Sequence, residues 1–296
     1  MSRGIAAFNG QFLYVSDSQP SAAFGSSIDA WSINAGTGTL ATVPGSPFSI
    51  SPVSLAGGLA VDSDIQVLYV GDVGKIDAFK IGANGALAPI AGSPFPAGDN
   101  IYITIDPQHR FLFAADDTPP GNILAFTIDS STGALTPVPG SPFVVGAGSV
   151  NPQLWLSDIV VDSSGKFLYV AIEQSNQVAG FSIMSSNGAL LPLPGSPFAT
   201  ASSPDALATA HNFLYVSSPG NLSGYKIDPQ TGVLTPLAGS PFASNSAALT
   251  ADPEGKFLFD TGGLYLTAYQ IDAQGGLTEV GTTPNTAAGL VLTYVQ

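Results

Sequence analysis

The chain has 296 residues with 21 acidic and 7 basic side chains, a net charge of −14, and only 9% charged against 45% hydrophobic residues. Phosphate recognition needs Lys and Arg, so this balance argues against nucleic acid and anionic membranes as partners. The absence of Cys excludes disulfides, zinc–thiolate sites and thiol catalysis, and no apolar run approaches the roughly 18 residues of a membrane-spanning helix.

The chain opens on a weak strand, Gly4–Phe8. Phe12-Leu13-Tyr14, Ala30-Trp31-Ser32-Ile33, the turn Thr37-Gly38-Thr39-Leu40 and the tetrapeptide Gly45-Ser46-Pro47-Phe48 follow. The whole set then recurs. Gly-Ser-Pro-Phe returns at Gly92, Gly140, Gly195 and Gly239, at intervals of 47, 48, 55 and 44 residues. A degenerate sixth unit ends in Thr282-Thr283-Pro284-Asn285 without the Phe. Such a period marks a repeat protein whose units cannot bury their apolar faces alone.

Each unit reads as four short strands, A to D. Strand A is small and apolar, as in Asp158–Asp162 and Ala247–Ala251; B carries Phe/Val-Leu-aromatic; C carries an aromatic two residues before Ile; D carries proline. Asp162-Ser163-Ser164-Gly165 and Asp252-Pro253-Glu254-Gly255 predict tight A–B turns. Asn-Gly and Thr-Gly before strand D predict the C–D hairpin. Proline removes a ladder donor, which makes D an edge strand. The expected fold is all-β: a β-propeller of four-stranded antiparallel blades, forming one domain over residues 1–296, with no helix. In the tetrapeptide, Gly ends the outer strand, Ser-Pro sets an extended exit and Phe packs between blades. Tyr14, Tyr69, Phe113, Tyr169, Tyr215, Phe259 and Trp31 read as core between blades rather than as a sugar platform.

Residues 129–143, 162–170 and 252–260 carry a more specific pattern. Asp-x-x-Gly-Lys-Phe-Leu-aromatic, Ala-Phe-x-Ile-Asp and Thr-Gly-x-Leu-Thr-Pro-Val-x-Gly-Ser-Pro-Phe together resemble the lactonase-family β-propellers, relatives of bacterial 6-phosphogluconolactonase. That resemblance implies seven blades and a site at the mouth of the central channel. The sequence holds six B–C–D sets and a seventh A-like strand, Gly289–Val295. The count favours six blades over the family's seven; the alternative is a further B–C–D set preceding this sequence.

In a propeller the B–C and D–A loops share one face. The residue three past each B-strand aromatic enters it: Asp17, Asp72 and Asp116, then Ile172 with Glu173 beside it, Ser218 and Gly262. Asp117, Asp99 and Asp205 add carboxylates, whereas Lys80, Arg110, Lys166, Lys226 and Lys256 map to the opposite face; only Arg3 and Lys75 can reach the acidic one. Clustered carboxylates suit Ca²⁺, with Asp72 and Asp116 as its ligands; the competing reading is that they cap turns. Trp155 lies in the longest D–A insertion without a repeat equivalent, placed to stack on a carbohydrate, anchor a protein partner or plug the channel. His109 and His211 fall in A–B turns, away from that face.

The functional expectation is a lactonase-like propeller, exported or surface-associated, with little or no catalysis. It binds a small-molecule, carbohydrate or protein ligand through Asp17, Asp72, Asp116, Asp117, Glu173 and Trp155, and requires no cofactor. The first alternative is a lactonase acting on a neutral sugar lactone, with or without a divalent cation. The second is a structural protein self-associating through its terminal strands. Met1-Ser2-Arg3 leads almost directly into a strand with no secretory signal, so the extracytoplasmic expectation rests on the Ser/Thr/Gly-rich acidic surface alone.

Overall fold

The structure is a computed structural model that describes residues 2–18, 26–51, 57–145, 154–244, 248–262 and 265–284. Six blades of antiparallel sheet are arranged as a β-propeller. Blade one uses Ser2–Phe8, Phe12–Ser18, Ser26–Ile33 and Leu40–Thr42, in that spatial order. Blades four, five and six repeat the order from Leu156–Val161, Leu207–Ala210 and Ala248–Ala251 outward. Blades two and three are continuous with one another, because Phe95–Ile105 pairs with strand Val67–Ile81 of blade two and then with Phe111–Asp116 of blade three. The inner strands contact one another in sequence from blade one to blade six. The one helical element among the described residues is a 3₁₀ turn, Glu173–Ser175, where the sequence predicts none.

The turns form as their residues dictate. The Gly165 and Gly255 amides donate to the carbonyls of Asp162 and Asp252, both at 2.9 Å, with φ of 69° and 64°. The turn acids also hold the start of strand B: Asp162 Oδ1 accepts the amides of Lys166 (2.9 Å) and Phe167 (2.7 Å), and Asp106 Oδ1 those of Arg110 and Phe111. His109 and His211 occupy such turns with φ of 56° and 50°.

The tetrapeptide does more than end a strand. Its Ser Oγ accepts the strand C amide of Ala30, Ala78, Ala125, Gly180 or Gly224 at 2.9–3.0 Å. Its Ser-Pro bond is cis in all five copies. Phe then restarts pairing with strand C, as at Phe143–Val144 and Phe198–Ala199. Each Phe also packs on the apolar cluster that joins its blade to the next.

Those five clusters lie at the five seams from blade one to blade six. In four of them a strand B tyrosine buries its ring and donates its hydroxyl to the C–D turn of the following blade. Tyr14 bonds Gly85 O at 2.9 Å, Tyr69 Gly133 O at 2.8 Å, Tyr169 Gly232 O at 2.7 Å and Tyr215 Gly275 O at 2.9 Å. Burial pushes these phenols well above their ordinary pKa. Trp31 and Phe259 depart from the expected core role. Both remain part-exposed while their counterparts Phe79, Phe126, Phe113 and Tyr215 are buried. The reason is that they face the interval between blades six and one. Residues 289–295, read as a seventh inner strand, lie outside the described residues.

Candidate ligand site at the channel mouth

The inner strands surround a central cavity of about 690 Å³. Ser157, Asp158 and Asp205 line it on the B–C and D–A side, and His109, His211 and Pro253 on the A–B side. His109 Nδ1 lies 3.0 Å from Asp62 Oδ1, so this imidazole contacts a turn acid at the far end from the acidic mouth.

The expected site residues fall into three groups. In blade one, Asp17 sits in strand B opposite Ser27; burial, and then the Asp17 charge, raises the pKa of neighbouring Asp29. In blade two, Asp72 is fully buried at the strand B–C reversal. It accepts the Val73 amide at 2.7 Å and lies 3.1 Å from Lys75 Nζ, which also bonds Asp77 at 2.7 Å. Burial acts against the Lys75 charge, yet the hydrogen bonds to the two carboxylates outweigh it and hold its pKa above the usual value. Lys75 is therefore already neutralised by two carboxylates.

The third group spans blades three to five. Asp116 Oδ1 accepts the amides of Asp99 and Thr118 and the Thr118 hydroxyl at 2.6–3.0 Å, which makes it a turn cap. Asp117 accepts the Leu156 amide at 2.8 Å, and the Trp155 carbonyl accepts the Glu173 amide at 3.0 Å. These two contacts tie the backbone of Trp155 and Leu156 to Glu173 and Asp117, with Trp155 half exposed. Burial raises the Asp117 pKa; the Leu156 amide opposes this, and the charges of Asp116, Asp99 and Glu173 add to it. Burial and then Glu173 raise Asp205 in the same way. The carboxylates share one dehydrated surface and repel one another.

Asp158 is the functional candidate that the loop-based reading missed. Its oxygens accept the amides of Ile159 and Leu207, both at 2.8 Å. Dehydration pushes its pKa up to about 7, with the two amides acting against the shift and Asp205 adding to it. A signal existed. The same register of strand A holds Gly4, Gly58, Tyr102, Ala206 and Ala248, so blade four alone places a carboxylate there.

As placed, Asp72 and Asp116 have their oxygens engaged by Lys75 and by amide and hydroxyl donors, and they stand in different groups. Among the described residues, no three acidic or imidazole side chains converge as metal ligands do. This donor set does not fit the Ca²⁺ site expected from those two residues. A separate cleft of about 340 Å³ between blades five and six has Asp260 at its base with Tyr269 and Glu279. Asp260 is buried where other repeats carry Val15, Val70, Ala114, Val170 and Val216.

Residues 120–238 match the family described as lactonase, 7-bladed β-propeller. No curated protein matches the sequence significantly. Solved structures do match in fold. A putative 6-phosphogluconolactonase from Bacteroides uniformis superposes with a TM-score of 0.75 at 15% identity, covering 95% of this chain and 84% of its own. A Lactobacillus plantarum protein gives 0.73 at 19% identity, covering 96% and 86%. The periplasmic gluconolactonase of Pseudomonas aeruginosa gives 0.66 at 18% identity, covering 93% and 82%. The class is therefore a β-propeller with repeating four-stranded blades. Within that class the chain is lactonase-like, as its repeat motifs suggested.

Proposed function

We propose that the protein binds a neutral polyhydroxylated ligand, a sugar or sugar lactone, at the channel mouth of blades three to five. The observation that carries this is Trp155, a half-exposed aromatic in a segment whose backbone is tied to Asp117 through the Leu156 amide and to Glu173 through the Trp155 carbonyl. An aromatic face offers a stacking surface for a sugar ring, and ionised carboxylates are acceptors suited to its hydroxyl donors. The same carboxylates repel phosphorylated or acidic substrates, and Lys75 is occupied by Asp72 and Asp77. The reading includes export to an extracytoplasmic compartment, in keeping with the acidic composition and checked by cell fractionation. Calorimetry with gluconolactone and with a 6-phosphorylated counterpart tests the ligand class. Binding of the neutral compound that is lost in Trp155→Ala is expected. Equal or tighter binding of the phosphorylated one would sink the proposal.

Asp158 supports a second reading, lactone hydrolysis. A carboxyl group with a pKa near 7 at the channel wall can take a proton from water as that water attacks a lactone carbonyl. Activity would rise as pH passes through about 7, when Asp158 ionises, and would vanish in Asp158→Asn. A lactone panel that stays inert from pH 6 to about 8.5 leaves the binding role alone standing.

A further inference from the structure

Repeat six departs from the other five where its outer strand would turn away. It lacks Gly-Ser-Pro-Phe, so nothing lifts strand D from strand C. Strand Leu277–Pro284 therefore runs for 8 residues, against 3 for Leu234–Pro236 of blade five. It sets Glu279 opposite Tyr269 and Thr282 opposite Thr267. A bulge between Ala268 and Tyr269 shifts the register there, an irregularity of the kind that re-aims side chains beside a site. Strand B changes too: Asp260, 3% exposed, stands where the other repeats carry Val or Ala.

These changes meet in the cleft of about 340 Å³ at the B–C end of the seam between blades five and six. Between blades four and five the corresponding place holds Val216, completely buried, and Tyr225, whose hydroxyl donates to the Ala199 carbonyl at 2.9 Å. In the cleft, Ser244 donates to Asp260, and Thr282 donates to Glu279 Oε1 at 2.7 Å. Burial raises the pKa of Tyr269, the counterpart of Tyr225; a hydrogen bond with Ser244 opposes this, and the charges of Asp260 and Glu279 add to it. Both carboxylates thus act on one phenol. Tyr265, 53% exposed, also lines the cleft. The described lining holds these two acids and no basic side chain.

We infer that this cleft binds a small organic cation, a protonated amine or a guanidinium, between Asp260 and Glu279 and against Tyr265 and Tyr269. The volume falls within the roughly 300–1,000 Å³ of small-molecule sites. A carboxylate at the base of a cleft, shielded from water, attracts a positive charge more strongly than one in solvent. Tyrosine rings add an attraction that a neutral ligand of the same shape does not feel. A bare divalent ion fits less well, because two carboxylates are few for its oxygen shell and no third acid or imidazole converges with them among the described residues. The ligand differs in charge from the sugar proposed for blades three to five and occupies another seam, so the two readings stand or fall separately.

Calorimetry on the full chain with n-butylammonium, n-butylguanidinium and neutral n-butanol tests the charge requirement. Both cations are expected to bind at one site, and the alcohol is expected not to bind. Asp260→Val restores the residue of four other repeats, so a cooperative urea melt like the parent's is expected. It should weaken cation binding about thirtyfold or more, as loss of a buried charge partner does. Should Asp260→Val melt without cooperativity, Asp260→Asn takes its place with the same expected loss. Glu279→Gln, at an exposed position, should weaken binding only about threefold. Glu254→Gln makes the same charge change on the A–B face and should leave binding at the parent value. The inference fails if neither cation binds, if butanol binds as well as they do, or if the Asp260 variant keeps the parent affinity. It fails also if Glu254→Gln loses as much as the Asp260 variant, which marks general attraction to an acidic surface, or if equimolar Ca²⁺ displaces the ammonium, which marks a metal site.

Discussion

The two faces of the propeller use their acids in opposite ways. On the A–B face, Asp62, Asp106 and Asp162 are buried, and each accepts amides of its own turn. Arg110 answers Asp106 at 2.8 Å, and Lys80 donates to the Ile65 carbonyl. On the mouth face, Asp117, Asp158 and Asp205 accept few hydrogen bonds or none that offset their dehydration, and their pKa values are raised. A carboxylate that serves the fold is surrounded by donors. One that holds a raised pKa beside other acids costs stability and is available for a ligand.

The contrast can be broken in four places, ordered by size. Asp162→Ala strands the amides of Lys166 and Phe167 and should cost about 3 kcal/mol in chemical denaturation, with Asp162→Asn less harmful. At the mouth the sign reverses. The folded pKa of Asp158 lies above its unfolded value of 3.8, so the folded protein holds a proton that the unfolded chain releases, and stability falls as pH rises from about 4 to about 7. Asp158→Asn should abolish that pH dependence, measured by urea melts across pH, while its gain at pH 8 is reduced because the Asn amide group then faces one of the two backbone amides that Asp158 accepts. A flat wild-type profile would show that the carboxyl is not dehydrated. Asp117→Asn keeps an acceptor for the Leu156 amide and removes one charge from the cluster, so a gain of about 0.5–1 kcal/mol is expected, shrinking in high salt. Trp155→Ala should change stability by less than about 0.5 kcal/mol, because the indole is half in water, while it abolishes ligand binding. A large loss of stability there would make Trp155 a plug of the mouth rather than a platform.

Much of the site was legible because the repeats act as their own controls. The A–B turns, the edge strand D and the displacement of basic residues to one face follow from Asp, Gly and Pro at fixed offsets. Asp116 met its turn-cap reading through Thr118 and Asp99. Other features needed proximity in space. Asp72 looked like Asp116 in register, but Lys75 and Asp77 fold back over it because Val67–Ile81 runs as one continuous hairpin strand. Asp158 was hidden inside a small-apolar strand, and only the channel wall and its neighbour Asp205 make it a dehydrated acid. Trp31 follows the aromatic pattern of strand C faithfully, and no pattern within one repeat tells whether a neighbouring blade covers it.

By itself, then, the sequence determined the unit: four strands, their turns, the tetrapeptide between them, the apolar faces they must bury and the resemblance those motifs carry. Hydrogen bonds and dihedral preferences act over a few residues and leave their mark in every copy. Only the tertiary structure decided which acids share a surface and which one loses its water. Those properties depend on what stands across the channel or on the neighbouring blade, at separations where local residue preference has no influence.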